Sequence, residues 1–283
     1  MKNIEILYLG SLKKEIQKPY KLTATLVLFF SVFIFSNTLA QSTLEERIRM
    51  VENGLTEHIQ TSDSAAFNLL ERMKHFKVQG LSIAVIKDYK VDFAKGYGFA
   101  DTEKKIRVSD KTLFQAASIS KSLNSLAILK LFKDRNLDLY ADINTYLKSW
   151  KFPYDSISKG KKINMANLLS HTAGLNVHGF GGYEAGKPLP SVIQILNGES
   201  PANSDAVRSL FAPGTRLEYS GGGTTISQLV LTDITGQKYE SYLSEQVLKP
   251  LDMLSSTFAQ PPTAIRQELL SAGIRRRRKR GER

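Results

Sequence analysis

Ser118-Ile119-Ser120-Lys121-Ser122-Leu123-Asn124-Ser125-Leu126-Ala127-Ile128-Leu129-Lys130-Leu131-Phe132 sets a serine and a lysine three residues apart at the head of an apolar run. On a helix such residues share a face, with Cβ atoms about 5–6 Å apart. An amine at that distance can take the hydroxyl's proton. A serine at a helix N-terminus also sits in the positive end of the macrodipole, which favours developing negative charge. The spacing therefore allows a nucleophile with its own base. Leu123, Leu126, Ala127, Ile128, Leu129, Leu131 and Phe132 make the run apolar nearly all round, as expected of a helix buried inside a domain. It should stop near Asn136.

The tetrapeptide is not specific by itself. Ser-x-x-Lys occurs at Ser11, Ser118, Ser156 and Ser158. Ser11 precedes a hydrophobic leader, and Ser156 and Ser158 lie in a Lys- and Gly-rich stretch with no long helix after it. Only Ser118 opens an apolar helix. The plain alternative there is a serine N-cap followed by a solvated lysine, so the surrounding sequence has to decide.

The chain has 283 residues, enough for one large domain or two interleaved subdomains. Lys13, Lys14, Lys18 and Lys21 precede an apolar stretch from Leu22 to Phe35, and Thr38-Leu39-Ala40 offers small residues for cleavage before Gln41. Residues 1–40 are thus expected to be an export signal, or an N-terminal anchor giving membrane association through residues 22–40. An exported, periplasmic or secreted protein is the expectation. There are no cysteines, which excludes disulfides and thiolate metal sites. No His/Asp/Glu cluster has metal spacing, and no cofactor is expected.

The net charge of +12 is unevenly spread. Residues 1–40 carry a net +3 and residues 275–283 a net +6, which leaves +3 over residues 41–274. The folded part is not a basic surface, so nucleic acid is excluded as a partner. The run Arg275–Arg280 reads as a solvated tail.

Ser42 to Glu45 fits a capping box opening an amphipathic helix with Ile48, Val51 and Leu55 on one side. Leu81–Ile86 and Val91–Ala94 read as strands joined by a turn over Lys87–Lys90, the second ended by Gly96-Tyr97-Gly98. Asn164 is a suitable N-cap for a short helix ending at Gly174. Residues 174–190 hold five glycines and should form a long loop of the kind that lines a cleft. Pro213-Gly214 starts a turn, Gly221–Gly223 reads as a Gly-rich turn, and Ile226, Leu229, Val230 and Ile234 recur at helical spacing up to Gly236. Tyr239, Tyr242, Leu243 and Val247 mark a last helix, stopped by Pro250. The sum is a mixed protein with a small antiparallel sheet near the N-terminus and a largely helical middle.

Four segments in order, Phe114–Lys121, Asn167-Leu-Leu-Ser-His-Thr-Ala-Gly-Leu175, Pro213-Gly-Thr-Arg-Leu-Glu-Tyr-Ser220 and Pro250-Leu-Asp-Met253, resemble the serine β-lactamase and penicillin-binding-protein superfamily. The resemblance is to its class C-related serine hydrolases and covers about residues 45–260. It implies an α+β fold of the α/β sandwich type, an antiparallel sheet flanked by helices plus a helical subdomain. It implies a hydrolase domain over residues 41–265, followed by a basic, unstructured tail over 266–283. It also implies that Ser118 attacks a carbonyl to form an acyl-enzyme, with Lys121 as the proton acceptor. That role requires a lysine pKa depressed by burial and nearby positive potential. Tyr219 shares the proton transfer, and backbone N–H groups, one from Ser118, hold the oxyanion. Ser220, Gly221 and His178 are the expected substrate-binding residues, and a small molecule or peptide is the expected partner. The His171 stretch corresponds to a structural helix end, and His58 and His75 read as surface residues. A Ser-His-Asp triad lacks its Gly-x-Ser-x-Gly elbow.

Two departures bear on the substrate. The family's second motif is usually Tyr-x-Asn, whereas this chain reads Tyr219-Ser220-Gly221. Glycine supplies no side-chain amide to hold a lactam or peptide, so esters and peptides stand beside β-lactams. The family's third motif, Lys-Thr-Gly or His-x-Gly on a late strand, does not follow Met253. The chain is therefore read as lacking the closing C-terminal strands, its end resembling a truncated or frameshifted one. The expected function is an exported serine hydrolase. The alternative is a catalytically inactive truncated relative or a cell-wall peptide binder.

Overall fold

A computed structural model of the chain describes residues 42–57, 66–184, 186–262 and 269–272. The expected export signal of residues 1–40, its expected cleavage point before Gln41, His58 and the Arg275–Arg283 run lie outside these. The chain forms two compact units, one holding residues up to 79 together with 83–95, the other residues 80–82 and those from 96 onward.

In the first unit, helix α1 spans Leu44–Asn53. Its capping box is Thr43 with Glu46, one residue later than the Ser42–Glu45 pair expected from sequence. The stretch Ser42-Thr43-Leu44-Glu45-Glu46 writes two overlapping boxes. In the second, Thr43 Oγ1 accepts from Glu46 N–H (3.2 Å) and Glu46 Oε2 accepts from Thr43 N–H (2.8 Å). Arg47 then donates to both oxygens of Asp92, at 3.1 and 2.8 Å. Leu55 lies past the helix and exchanges backbone hydrogen bonds with Phe67. Helix α2 (Leu69–His75) is capped by Asn68 and was not read from sequence.

Strands β1 (Gly80–Lys87), β2 (Lys90–Asp101) and β3 (Ile106–Arg107) form one sheet in that order. The β1–β2 turn is only Asp88-Tyr89, both left-handed with φ of 50° and 61°. That is the twist a tight hairpin requires, and it leaves Lys87 and Lys90 as strand ends. β2 continues through Gly96-Tyr97-Gly98, where sequence placed its end. A Cβ on Gly96 would lie 2.4 Å from the Val108 carbonyl oxygen, so this glycine admits a neighbouring backbone within the strand. Residues 269–272, expected within an unstructured tail, are instead tied to the sheet. Leu113 N–H donates to Leu269 (2.8 Å), Ser271 to Leu113 (2.9 Å) and Ala272 to Ala100 of β2 (2.8 Å). The last of these bonds reaches β2, and the other two pair the segment with Leu113.

The larger unit continues with a 3₁₀ turn at Ala117–Ile119 and helices α3 (Ser120–Asp134), α4 (Met165–Leu169), α5 (Val192–Asn197), α6 (Gly221–Thr235) and α7 (Tyr239–Leu243), the last running into a π-helical turn at Ser244–Leu248. Ala127, Ile128, Leu131 and Phe132 of α3 pack with Ile226, Val230 and Leu231 of α6, and with Leu168, Leu175, Leu243 and Val247, in one core. The mixed α+β class read from sequence stands. The burial of α3, however, is one-sided. Leu126 and Leu129 are 44% and 45% exposed, because they fall between the core positions 124, 127, 128, 131 and 132 on the helical turn.

Asn164 caps α4 as expected, but the helix ends five residues before Gly174. Gly174 (φ 69°) serves close approach instead, since a Cβ there would lie 2.2 Å from the Phe211 carbonyl oxygen. Residues 174–190 form no helix or strand among the described residues, apart from an isolated bridge between Leu175 and Ser209. Gly221–Gly223, read as a turn, are the first turn of α6. Among the described residues no helix is long and apolar enough to cross a membrane.

The glycine start of α6 can be tested by substitution. A Cβ on Gly222 would lie 2.7 and 2.9 Å from the methyls of fully buried Val207. Alanine gains about 1 kcal/mol in helix propensity, yet overpacking at a stiff, buried valine costs typically about 1–3 kcal/mol. Gly222→Ala is expected to lose stability in chemical denaturation. A stability gain would show that this contact is not tight.

Candidate active site

Ser118 lies in the 3₁₀ turn ahead of α3, directly after Ala117, whose φ of 45° is left-handed. Such a backbone costs about 1–3 kcal/mol for a non-glycine residue and tends to gather at functional sites. Ser118 is exposed, and Lys121 follows in the first turn of α3. Lys121 Nζ donates to Ser118 Oγ at 3.2 Å. Tyr219, a hundred residues further on, brings its hydroxyl to 2.7 Å from the same oxygen. Lys121 Nζ is also 4.9 Å from the centre of the Tyr219 ring. Serine, lysine and tyrosine are thus brought together as the sequence reading expected.

The placement of Tyr219 follows from how α6 begins. A helix leaves its first backbone N–H groups without intrahelical partners. Here Gly221 N–H donates to the His178 carbonyl (3.0 Å), Gly222 to the Val177 carbonyl (3.1 Å) and Gly223 to Ser220 Oγ (3.0 Å). Ser220 Oγ in turn donates to the Asn176 carbonyl at 2.7 Å. Segment 176–178 turns through Val177 at φ 56°, an outlier for a β-branched residue, to present these carbonyls.

Two expected substrate-binding residues are spent in this joint. Ser220 is 3% exposed, its hydroxyl occupied as the N-cap. The Gly221 N–H is occupied as well, and a Cβ on Gly221 would meet the His178 carbonyl at 3.1 Å and the Phe180 ring at 3.2 Å. The space where the family's asparagine would begin is filled by the 178–180 backbone and Phe180. His178 itself is exposed and holds its ring 4.8 Å from that of Tyr219.

Sequence reasoning placed His171 at a helix end only. The structure agrees on the position and adds a contact, its ring lying 4.5 Å from the Tyr219 ring. Asn124 was missed as well. Buried on the core face of α3 one turn after Lys121, it donates to Ser227 Oγ of α6 (2.9 Å) and accepts from the Tyr239 hydroxyl (2.8 Å). It fixes the register of the two helices that carry the site. A lone asparagine within the apolar run was the signal that could have found it.

The electrostatics concentrate on the phenol. The Lys121 ammonium, then the Ser118 hydroxyl, both hydrogen-bonding to it, hold Tyr219 below the usual tyrosine range. Burial, with the charge of Lys121 and the nearby His178, holds His171 below the ordinary imidazole value. By contrast, burial raises Tyr154 and Tyr239 above the usual tyrosine range. Among the described residues no group of His, Asp and Glu could hold a metal ion.

An α+β fold carrying a serine, a lysine one helical turn away and a tyrosine on the same oxygen defines the serine-hydrolase class of site. The β-lactamase family model matches residues 68–279, and the chain belongs to that family. It is 30% identical over 189 residues to protein flp of Staphylococcus aureus (65% of this chain, 35% of that protein). It is 25% identical over 179 residues to the putative penicillin-binding protein PbpX of Bacillus subtilis (62% and 40%). Among solved structures it is similar to the octameric penicillin-binding protein homologue from Pyrococcus abyssi, with a TM-score of 0.53 and 28% identity over 65% of this chain and 42% of that one. The fold is also shared with the β-lactamase/D-alanine carboxypeptidase from Yersinia pestis, with a TM-score of 0.58 and 23% identity over 71% and 56%. The chain spans little more than a third of the length of the curated relatives it matches.

The lowered phenol gives a direct optical test. An acid whose pKa falls releases its proton at lower pH, so Tyr219 should ionise below the usual tyrosine range. An ultraviolet titration near 295 nm is expected to show a phenolate step below pH ~10 that Tyr219→Phe removes. An unchanged titration in that variant would refute the assignment.

Proposed function

We propose that the chain is an exported serine hydrolase that opens an ester, peptide or β-lactam carbonyl through an acyl-enzyme on Ser118. The observation that carries this reading is the pair of contacts on Ser118 Oγ, 2.7 Å from the Tyr219 hydroxyl and 3.2 Å from Lys121 Nζ. The sequence reading gave the proton to Lys121 first. The shorter contact and the lowered phenol favour Tyr219 as the base, with Lys121 as the cation that stabilises its anion.

Tyr219 phenolate takes the Ser118 proton while Oγ bonds to the carbonyl carbon, and the oxygen's negative charge is held by backbone N–H groups, that of Ser118 among them. Collapse breaks the bond to the leaving group, which receives the proton from Tyr219. Water then repeats the sequence on the acyl-enzyme, with Tyr219 again taking a proton, and frees Ser118.

The substrate preference is drawn from Gly221. An amide anchor at that position is replaced by Phe180 and the 178–180 backbone, which favours esters or compact peptides. The names of PbpX and the Pyrococcus homologue support including penicillins in the test.

Purified protein is expected to be labelled at one site by a fluorophosphonate and, more slowly, by a fluorescent penicillin. Ser118→Ala should abolish both labels. Tyr219→Phe should slow phosphonylation by about 100- to 10,000-fold, the usual span for a lost general base. No Ser118-dependent label with either probe on a cooperatively melting protein would overturn the hydrolase reading in favour of a peptide binder.

A further inference from the structure

His171 makes three contacts with the Glu218–Ser220 segment, one to Tyr219 and one to each of its neighbours, and the proposed chemistry uses none of them. Its backbone carbonyl accepts from the N–H of Glu218 at 2.7 Å. Its Nδ1 accepts from the N–H of Ser220 at 3.3 Å. Its ring lies against the Tyr219 ring, centroids 4.5 Å apart and planes at 37°. The residues immediately before and after the tyrosine are thus both tied to one histidine. His171 is itself fixed in an uncommon conformation, with φ 57° and its own N–H donating to Leu168 at the end of α4.

A backbone N–H can only donate, so the bond from Ser220 requires a lone pair on Nδ1. The proton of the neutral ring then resides on Nε2. Protonating His171 would place a second hydrogen facing the Ser220 N–H and break that tie. The new charge would also join Lys121 from α3, His178 from the 174–190 segment, and Tyr219, with Glu218 beside it in sequence, from the stretch ahead of α6. Lys121 and a charged His178 would both oppose it. Burial opposes it too, and together these keep His171 neutral to lower pH than a free imidazole.

We infer that His171, as the neutral Nε2–H tautomer, is the positioning residue for Tyr219, clamping both of its neighbours and bracing its ring so that the phenol reaches Ser118 Oγ. The inference rests on the serine-hydrolase reading above. It deepens that reading by assigning a residue outside the Ser118–Lys121–Tyr219 set. Small displacements of a reacting group are expensive, about 100-fold in rate for 1 Å, and a phenol on a two-torsion side chain is easily displaced.

The test is the rate of Ser118 phosphonylation by a fluorophosphonate, compared across His171→Asn, His171→Phe and His171→Ala. Asparagine keeps an acceptor for Ser220 N–H, phenylalanine keeps only the ring, and alanine keeps neither. At saturating probe, Phe and Ala are expected to be slower by about 10- to 100-fold at unchanged half-saturation, with Asn within a few-fold of the parent. The parent's rate should also fall more steeply below the ordinary imidazole range. That added ionisation should vanish in His171→Asn and persist in His178→Asn. Wild-type rates in Phe and Ala, or an added ionisation lost with His178 instead, would overturn the inference.

Should the Ala or Phe variant not fold, the wild-type protein supplies the answer. Nitrogen-15 imidazole spectra at pH 7 are expected to show His171 unprotonated at Nδ1, and a proton there would refute the clamp. Absence of Ser118-dependent labelling in the parent would instead strike the hydrolase reading, so the two failures are distinguishable.

Discussion

The first turn of α6 has to find partners for backbone N–H groups that no helix can satisfy internally. The Val177 and His178 carbonyls of the 176–178 segment and the Ser220 hydroxyl supply them, the hydroxyl itself donating to the Asn176 carbonyl. The glycines at 221–223 let that segment come close enough to do so. Because Tyr219 immediately precedes the N-cap, the same joint fixes where its phenol emerges. Ser118 is set with similar economy, one turn from a lysine and on a backbone that is left-handed at Ala117. Asn124 then locks α3 to α6, so that the two carriers cannot slide past one another.

Left-handed non-glycine residues at Ala117, His171 and Val177 all lie within two residues, in sequence or by direct contact, of the Ser118–Tyr219 pair. Each costs free energy that an unconstrained chain would avoid. The core beneath, with Ile128, Phe132, Ile226 and Val230 fully or almost fully buried, supplies the stability against which this strain is held. The result is a polar trio on the surface of an apolar body. There a phenol next to a cation is shifted toward its anion without being removed from solvent.

Much of this was legible in the sequence, and the remainder was not for physical reasons. Ser118-x-x-Lys121 ahead of an apolar run marked the candidate nucleophile of the proposed reaction, and hydrophobic spacing marked α3, α6 and α7. The sequence could not say that Gly221–Gly223 begin a helix, because glycine triplets favour turns and only the contact with Val207 and the 176–178 segment explains them. Ser220 illustrates the same limit. A serine one residue after a candidate catalytic tyrosine reads as substrate contact, yet the helix it precedes claims its hydroxyl. His171 sits at a helix end, as read. Its second role depends on a fold-dependent approach of residues 171 and 219, which no local pattern encodes. The overlapping boxes at Ser42–Glu46 and the glycines within β2 show the same thing, local rules allowing two outcomes and tertiary contacts choosing one.

The proposed chemistry turns on the Tyr219 phenolate being the group that relieves Ser118 of its proton. The most direct measurement follows the Tyr219 Cζ resonance by carbon-13 NMR across the pH range, alongside the pH dependence of phosphonylation at Ser118. Coincident midpoints, lying below that of a free tyrosine, are the predicted result. A phenol that stays protonated while the phosphonylation rate has already reached its plateau would contradict it.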